Sequence, residues 1–190
     1  GFGCFTHGSC FVGTIQSGSQ GAFAQGSANN SSIIRANGEG AYAQGRGEGA
    51  GLLDAAGSAT FVRGIASGTN SIIRCTGGGG MALGGASGGG LIQASNTCIA
   101  FGTVSASLEQ TTNNSSGSIV VGRDARIPSG NNYSLLIGKY GTAITPSASS
   151  SNPSPAIIQG ECSIQIASGS DTSNRDISVV IGAQTFGAAS

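Results

Sequence analysis

GEGAYAQGRGEGAGLLDAAG, residues 38–57, holds seven glycines together with Tyr42, Leu52 and Leu53. A flexible linker of this glycine content would be filled with serine rather than aromatic and aliphatic pairs. An ordinary strand would not carry so much glycine, which loses more backbone freedom on folding than any other residue. The segment therefore belongs to something that needs tight corners and short apolar strands together.

Its parts recur along the chain. GAYAQG (Gly40 to Gly45) is preceded by GAFAQG (Gly21 to Gly26) and followed by ATFVRG (Ala59 to Gly64), GGMALG (Gly79 to Gly84) and a shortened CIAFG (Cys98 to Gly102). The closing glycines Gly26, Gly45, Gly64, Gly84 and Gly102 stand 19, 19, 20 and 18 residues apart. GCFTHG (Gly3 to Gly8) fits as an earlier copy. Between these anchors lies a second element: TIQS (Thr14 to Ser17), IIRA (Ile33 to Ala36), LLDA (Leu52 to Ala55), IIRC (Ile72 to Cys75) and LIQA (Leu91 to Ala94). Two registers share one period, which is the signature of a repeat architecture.

Each repeat holds two strand candidates of four or five residues, too short and too glycine-rich for helices. Such a pair cannot bury its own apolar face. Stacked in register at roughly 4.8 Å per coil, it can. The fold expected is all-β, a parallel β-solenoid (β-roll or β-helix) of two-strand coils, each of about 19 residues. Ile33 and Ile34, like Leu52 and Leu53, should point to opposite faces. One apolar column then fills the coil and the other faces outward. Either that second column meets another subunit, or the coil is flattened and both residues lie inside it near corners.

Residues 1–107 read as regular repeats. Residues 108–190 read as less regular coils rather than an independent domain, with polar loop insertions at 108–117 (LEQTTNNSSG) and 145–155 (TPSASSSNPSP). The latter holds three of the four prolines. Between and after these loops come SIVVGRDA (Ser118 to Ala125), SLLIGKYGTA (Ser134 to Ala143), PAIIQG (Pro155 to Gly160), SIQIA (Ser163 to Ala167) and ISVVIGAQTFG (Ile177 to Gly187).

Composition supports order. Charged residues are 8% of the 190 and the formal net charge is zero, but aliphatic pairs recur throughout. Disorder would require high charge and few aliphatics. No basic run offers a footprint for nucleic acid or acidic lipid, and neutral surfaces favour self-association. No apolar run approaches the length of a membrane span, so no membrane insertion is expected. The start at Gly1, without Met, reads as a processed form or a fragment.

The segments SIVVGRDA, SLLIGKYGTA and SVVIGAQTFG resemble the S-x-x-I-G-x-x-A repeats in the head domains of trimeric autotransporter adhesins, the YadA-like left-handed parallel β-roll. Similar repeats occur in some phage and viral fibre proteins. The resemblance is strongest over residues 118–187 and looser over 21–107. It implies a homotrimeric rod at an extracellular, cell or virion surface, with adhesive or structural duty and a possible host-surface or matrix ligand.

No constellation for catalysis stands out. The single histidine, His7, occupies a repeat position filled elsewhere by Gln25, Gln44, Arg63 and Leu83, which marks it as outward and non-catalytic. A His-dependent hydrolase, or an acyltransferase of the left-handed helix type, would have to rely on it. The acids Glu39, Glu48, Asp54, Glu109, Asp124, Glu161, Asp171 and Asp176 are scattered. The metal reading reduces to an adventitious ion at Asp124 or Asp171. Five cysteines, Cys4, Cys10, Cys75, Cys98 and Cys162, lack the paired spacing of zinc or redox sites. Cys75 and Cys98 replace small residues of neighbouring repeats and read as buried small hydrophobes, with a disulfide as the alternative. Arg35 and Arg74 share a repeat position with Asp54 between them, which predicts a stacked column of alternating charge; Arg63 lies apart from it.

The expectation is a non-enzymatic structural or adhesive surface protein, homo-oligomeric, without catalytic residues, cofactor or metal. The alternatives are a self-polymerising extracellular filament or virion fibre subunit without an adhesive role, and an ice- or carbohydrate-binding solenoid. An ice-binding face would need threonine at one repeat position. Thr14, Thr60, Thr76 and Thr103 do not match one another.

Overall fold

The chain turns a corner after every strand, and two kinds of turn do the work. After three of the long strands, paired positive-φ residues reverse the chain: Asn30 and Ser31, Gly49 and Ala50, Gly88 and Gly89. The turns close with Ser32 N–H donating to Asn29 O (3.2 Å), Gly51 to Glu48 (3.0 Å) and Gly90 to Ser87 (3.0 Å). Two successive positive φ values are the mark of type I′ turns, which suit Gly and Asn. After each short strand a single positive-φ residue suffices, at Gly21, Gly40, Ala59, Gly79 and Asn96.

In the computed structural model the described residues are 3–106, 109–114, 116–127, 129, 135–144, 157–168 and 177–182. Seven coils each hold a long and a short strand: β1 (Phe5–Phe11) with β2 (Thr14–Ser17), β3 (Phe23–Asn29) with β4 (Ile33–Ala36), β5 (Tyr42–Glu48) with β6 (Leu52–Ala55) and β7 (Phe61–Ser67) with β8 (Ile72–Cys75). The series continues with β9 (Met81–Ser87) and β10 (Leu91–Ala94), β11 (Ile99–Val104) and β12 (Gln110–Asn113), then β13 (Ile119–Arg123) and β14 (Arg126–Ile127). Long strands pair only with long strands and short with short, all parallel, from β1 to β13 and from β2 to β14. This is the parallel β-solenoid that the repeat predicted, in coils of about 19 residues.

The core is a narrow seam of stacked columns. Ile34, Leu53, Ile73 and Ile92 of the short strands are fully buried. They face the glycines Gly26, Gly45, Gly64 and Gly84 of the long strands, in register with Gly8, Gly102 and Gly122. A Cβ on Gly45 would lie 1.9 Å from Gly64 O and 2.8 Å from Leu53 Cδ2. No side chain fits there, which is why the closing residue of each anchor is glycine. The small residues Ala24, Ala43, Val62, Ala82 and Ala100 line the seam on one side of the glycines, and Ala28, Ala66, Ala86 and Val104 line it on the other.

Two findings depart from the sequence reading. Within 108–117, expected to be a polar loop, Gln110–Asn113 forms β12 and continues the short ladder, with Ile92 opposite Thr111 and Ala94 opposite Asn113. Thr111 and Asn113 are fully buried, and their polar atoms are satisfied. Thr111 Oγ1 donates to Gly122 O (3.0 Å), and Asn113 Nδ2 to Ile99 O (2.9 Å) and Ser118 O (2.7 Å). Beyond the seventh coil, β15 (Leu135–Ile144) pairs parallel with β13 through its first half and with β14 at Thr142. Then β16 (Ile157–Ser168) runs antiparallel to β15, and β17 (Ile177–Gly182) antiparallel to β16, where further coils were expected. A twelve-residue run without a corner sequence stays extended and returns along its neighbour. The loop at 145–155 lies outside the described residues.

Candidate interaction surface

Two outward columns on the long-strand face and two on the short-strand face carry the chemistry of this chain. On the long-strand face, Phe5, Phe23, Tyr42 and Phe61 occupy one register position. Their rings stack with centroids 4.9, 4.8 and 4.8 Å apart and planes within 10° of parallel. Offset stacking of this kind adds about 0.5–1.5 kcal/mol per pair beyond area burial. Because each ring covers the next, the column shows its edges rather than its faces to solvent. Met81, Ile99, Ile119 and Leu135 extend the same column.

Next to it runs the column of His7, Gln25, Gln44 and Arg63. His7 is exposed, with Gln25 Nε2 3.4 Å from its Nδ1, and Gln44 Nε2 donates to Gln25 Oε1 at 3.3 Å. This column thus forms a polar ladder of side-chain amides, and His7 stands at the outward position that the repeat assigned it.

The short-strand face presents the half-buried aliphatics Ile33, Leu52, Ile72 and Leu91 beside Gln16, Arg35, Asp54, Arg74 and Gln93. Ile33 and Ile34 do point to opposite faces, the first partly open and the second fully buried. The alternating charges form one close pair rather than a continuous ladder. Arg35 donates to Asp54 through Nε (2.7 Å) and Nη2 (2.8 Å), a two-bond fork onto a carboxylate that is 5% exposed. Arg74 instead donates from Nε to Gln93 Oε1 (2.7 Å) in the next coil. Asp54 is thereby satisfied from one side and holds the second and third coils in register.

The other candidate residues are dispersed. Arg46 pairs with Glu48, and Glu39 is exposed at a corner. Asp124 Oδ1 accepts from Gln110 N–H (2.9 Å) and Arg126 Nη2 (3.0 Å), so this one oxygen braces β12 and β14. Glu109, buried ahead of β12, accepts from Arg123 Nε (2.9 Å) and Nη2 and from Ser105 N–H (2.6 Å). The Arg123 hydrogen bond leads in holding its carboxyl down to about 2. Among the described residues no three His, Cys, Asp or Glu side chains converge as metal ligands would. Asp171, Asp176 and the side chains of Glu161 and Cys162 lie outside the described residues.

Cys75 and Cys98 are buried free thiols, as the small-residue reading predicted, while Cys10 is exposed and Cys4 half-buried. Burial, reinforced by Cys98, pushes the Cys75 thiol up to about 11, and burial raises Cys98 likewise. Both are poor nucleophiles at neutral pH.

Sequence reading missed a group of exposed apolar side chains in the later coils. Ile65, Phe101 and Ile119 stand 52%, 47% and 38% exposed on the long-strand face. The signal was present in the repeat: the outward position filled by Gln25 and Gln44 turns to Leu83, Phe101 and Val121 in later coils. No family model matches this chain, and neither a curated protein nor a solved structure matches it.

Proposed function

We propose that the chain is a non-enzymatic structural subunit, a solenoid that extends, associates with further copies of itself and mediates attachment at an extracellular, cell or virion surface. The observation that carries this reading is the outward apolar column kept in register along both ladders. Short strands need only their inward column to fill the seam, yet Ile33, Leu52, Ile72 and Leu91 repeat an aliphatic on the outside as well. Apolar columns of this length, on a chain of zero net charge, favour association. The likeness of the C-terminal segments to trimeric adhesin heads agrees with that reading.

A carbohydrate platform is less well supported, because the rings of Phe23, Tyr42 and Phe61 stack on one another and leave no open ring face for a sugar. Solution mass by light scattering, with negative-stain imaging of the purified chain, tests the proposal. Discrete trimers favour an adhesin-head or fibre-tip role, and long filaments a polymerising structural subunit. A compact monomer at high concentration overturns both.

A further inference from the structure

The chain holds one Asn-Gly pair, Asn37–Gly38, at the corner that ends β4 and leads toward β5. Packing requires glycine at 38, because a Cβ there would collide with Gly57 O in the next coil. Asn37 N–H makes a ladder bond to Ala55 O (2.9 Å), and Gly38 N–H reaches only that same oxygen, at 3.5 Å, too far to be held firmly. The side-chain amide of Asn37 has no hydrogen-bond partner among the described residues. Those of Asn29 and Asn113, by contrast, donate to Ser27 Oγ and Ile99 O. Asn37 Oδ1 lies over Gly18, 2.8 Å from where a Cβ would stand, so bare backbone gives the side chain room to turn. Ser19 Oγ donates to Asn37 O. That carbonyl shares a peptide group with the Gly38 nitrogen, so a donor on it stabilises the negative charge that spreads over the group when the N–H ionises. Glu39 and Ala56 beside the pair are exposed, which opens the corner to water and base.

We propose that Asn37 is a site of spontaneous covalent modification, in which the Gly38 nitrogen closes onto the Asn37 side chain. Base removes the Gly38 N–H proton, and the nitrogen attacks Asn37 Cγ. The N–Cγ bond forms, the Cγ–Nδ2 bond breaks, and the departing nitrogen takes up a proton to leave as ammonia. Water then opens the resulting succinimide. Attack at Cγ leaves an aspartate at position 37, and attack at the main-chain carbonyl leaves an isoaspartate. The second product routes the main chain through Cβ and Cγ and so lengthens it by one carbon. At a corner where Gly38 is packed against Gly57, that extra atom loosens the second coil from the third. The reaction needs no second copy of the chain, so it stands apart from the self-association proposed above.

Peptide mass spectrometry tests the assignment. Cleavage after Arg35 and Arg46 releases residues 36–46 as one peptide. Conversion is read as a gain of about one dalton on that peptide, and its isoaspartyl share by labelling with an isoaspartyl methyltransferase. In the purified native chain, held at mildly alkaline pH, conversion should proceed within roughly tenfold of its rate in the chain unfolded by guanidinium, because turning one lightly held corner costs little. Ser19→Ala should slow the native reaction several-fold and leave the unfolded rate unchanged. Asn37→Gln, whose longer side chain must close a larger ring, should abolish conversion, with circular dichroism verifying that both variants fold. A native peptide that stays intact while the unfolded chain converts overturns the proposal. A native rate unchanged by Ser19→Ala overturns the part given to that hydroxyl.

Discussion

Gly45 and Gly40 both take positive φ, +150° and +63°, but they stand in different surroundings. A Cβ at Gly45 would meet the backbone of the next coil, whereas at Gly40 there is nothing within 4 Å. Gly45→Ala must therefore push two coils apart. We expect it to cost about 3 kcal/mol or more, and Gly40→Ala only the left-handed penalty of about 1–2 kcal/mol. Urea titration of both variants decides the matter, since equal losses would mean that the glycine column is conserved in the repeat for its backbone angle and not for the space it leaves. The position of these glycines was legible because their spacing repeats. Their reason was not, because a corner glycine and a close-approach glycine are the same letter until the neighbouring coil is in place. The thiols show the converse: Cys75 was recognisable as a small buried residue from the Ala36, Ala55 and Ala94 that share its register.

At the level of elements, β12 is the instructive case. Its sequence QTTN has none of the aliphatics that mark TIQS or LIQA, and polar runs rich in Asn and Ser ordinarily mean loops. The strand forms because its neighbours in the ladder supply backbone partners and because Thr111 and Asn113 find acceptors inside the seam. Glu109 anchors the entry to this strand. Its folded value near 2 lies below the ordinary 4.5, so the unfolded chain takes up the proton first as pH falls. The stabilisation is complete above about pH 4.5 and is lost progressively toward pH 2. Glu109→Gln should flatten that part of the acid limb in urea midpoints measured against pH. An unchanged acid limb would show that the Arg123 contact adds no stability. The direction of β16 could not be read from its residues, because an alternating run such as Ile157–Ser168 serves parallel and antiparallel pairing equally well.

For the whole molecule, stability is a sum over neighbouring coils rather than the property of one compact core. In this chain β1 pairs only with β3 among the described residues and is exposed throughout, whereas β5 and β7 are bonded along both edges. Amide exchange should therefore be fastest in β1 and slowest across β5 to β8, read strand by strand by mass spectrometry. Uniform protection would indicate a single cooperative unit. The period, the two ladders and the inward columns were all legible in the sequence, since each coil repeats the demands of the last. The change of the long-strand face from polar to apolar was written there too, but as a slow drift along one column, which a search for sameness passes over. In-register stacking also makes the molecule a ruler. Adding or removing one unit of about 19 residues at a corner changes its length by a single step of roughly 4.8 Å and leaves its cross-section unaltered. An insertion of one residue within a strand would instead turn every later side chain of that strand to the opposite face. Selection can thus tune reach in whole steps by duplicating or deleting coils.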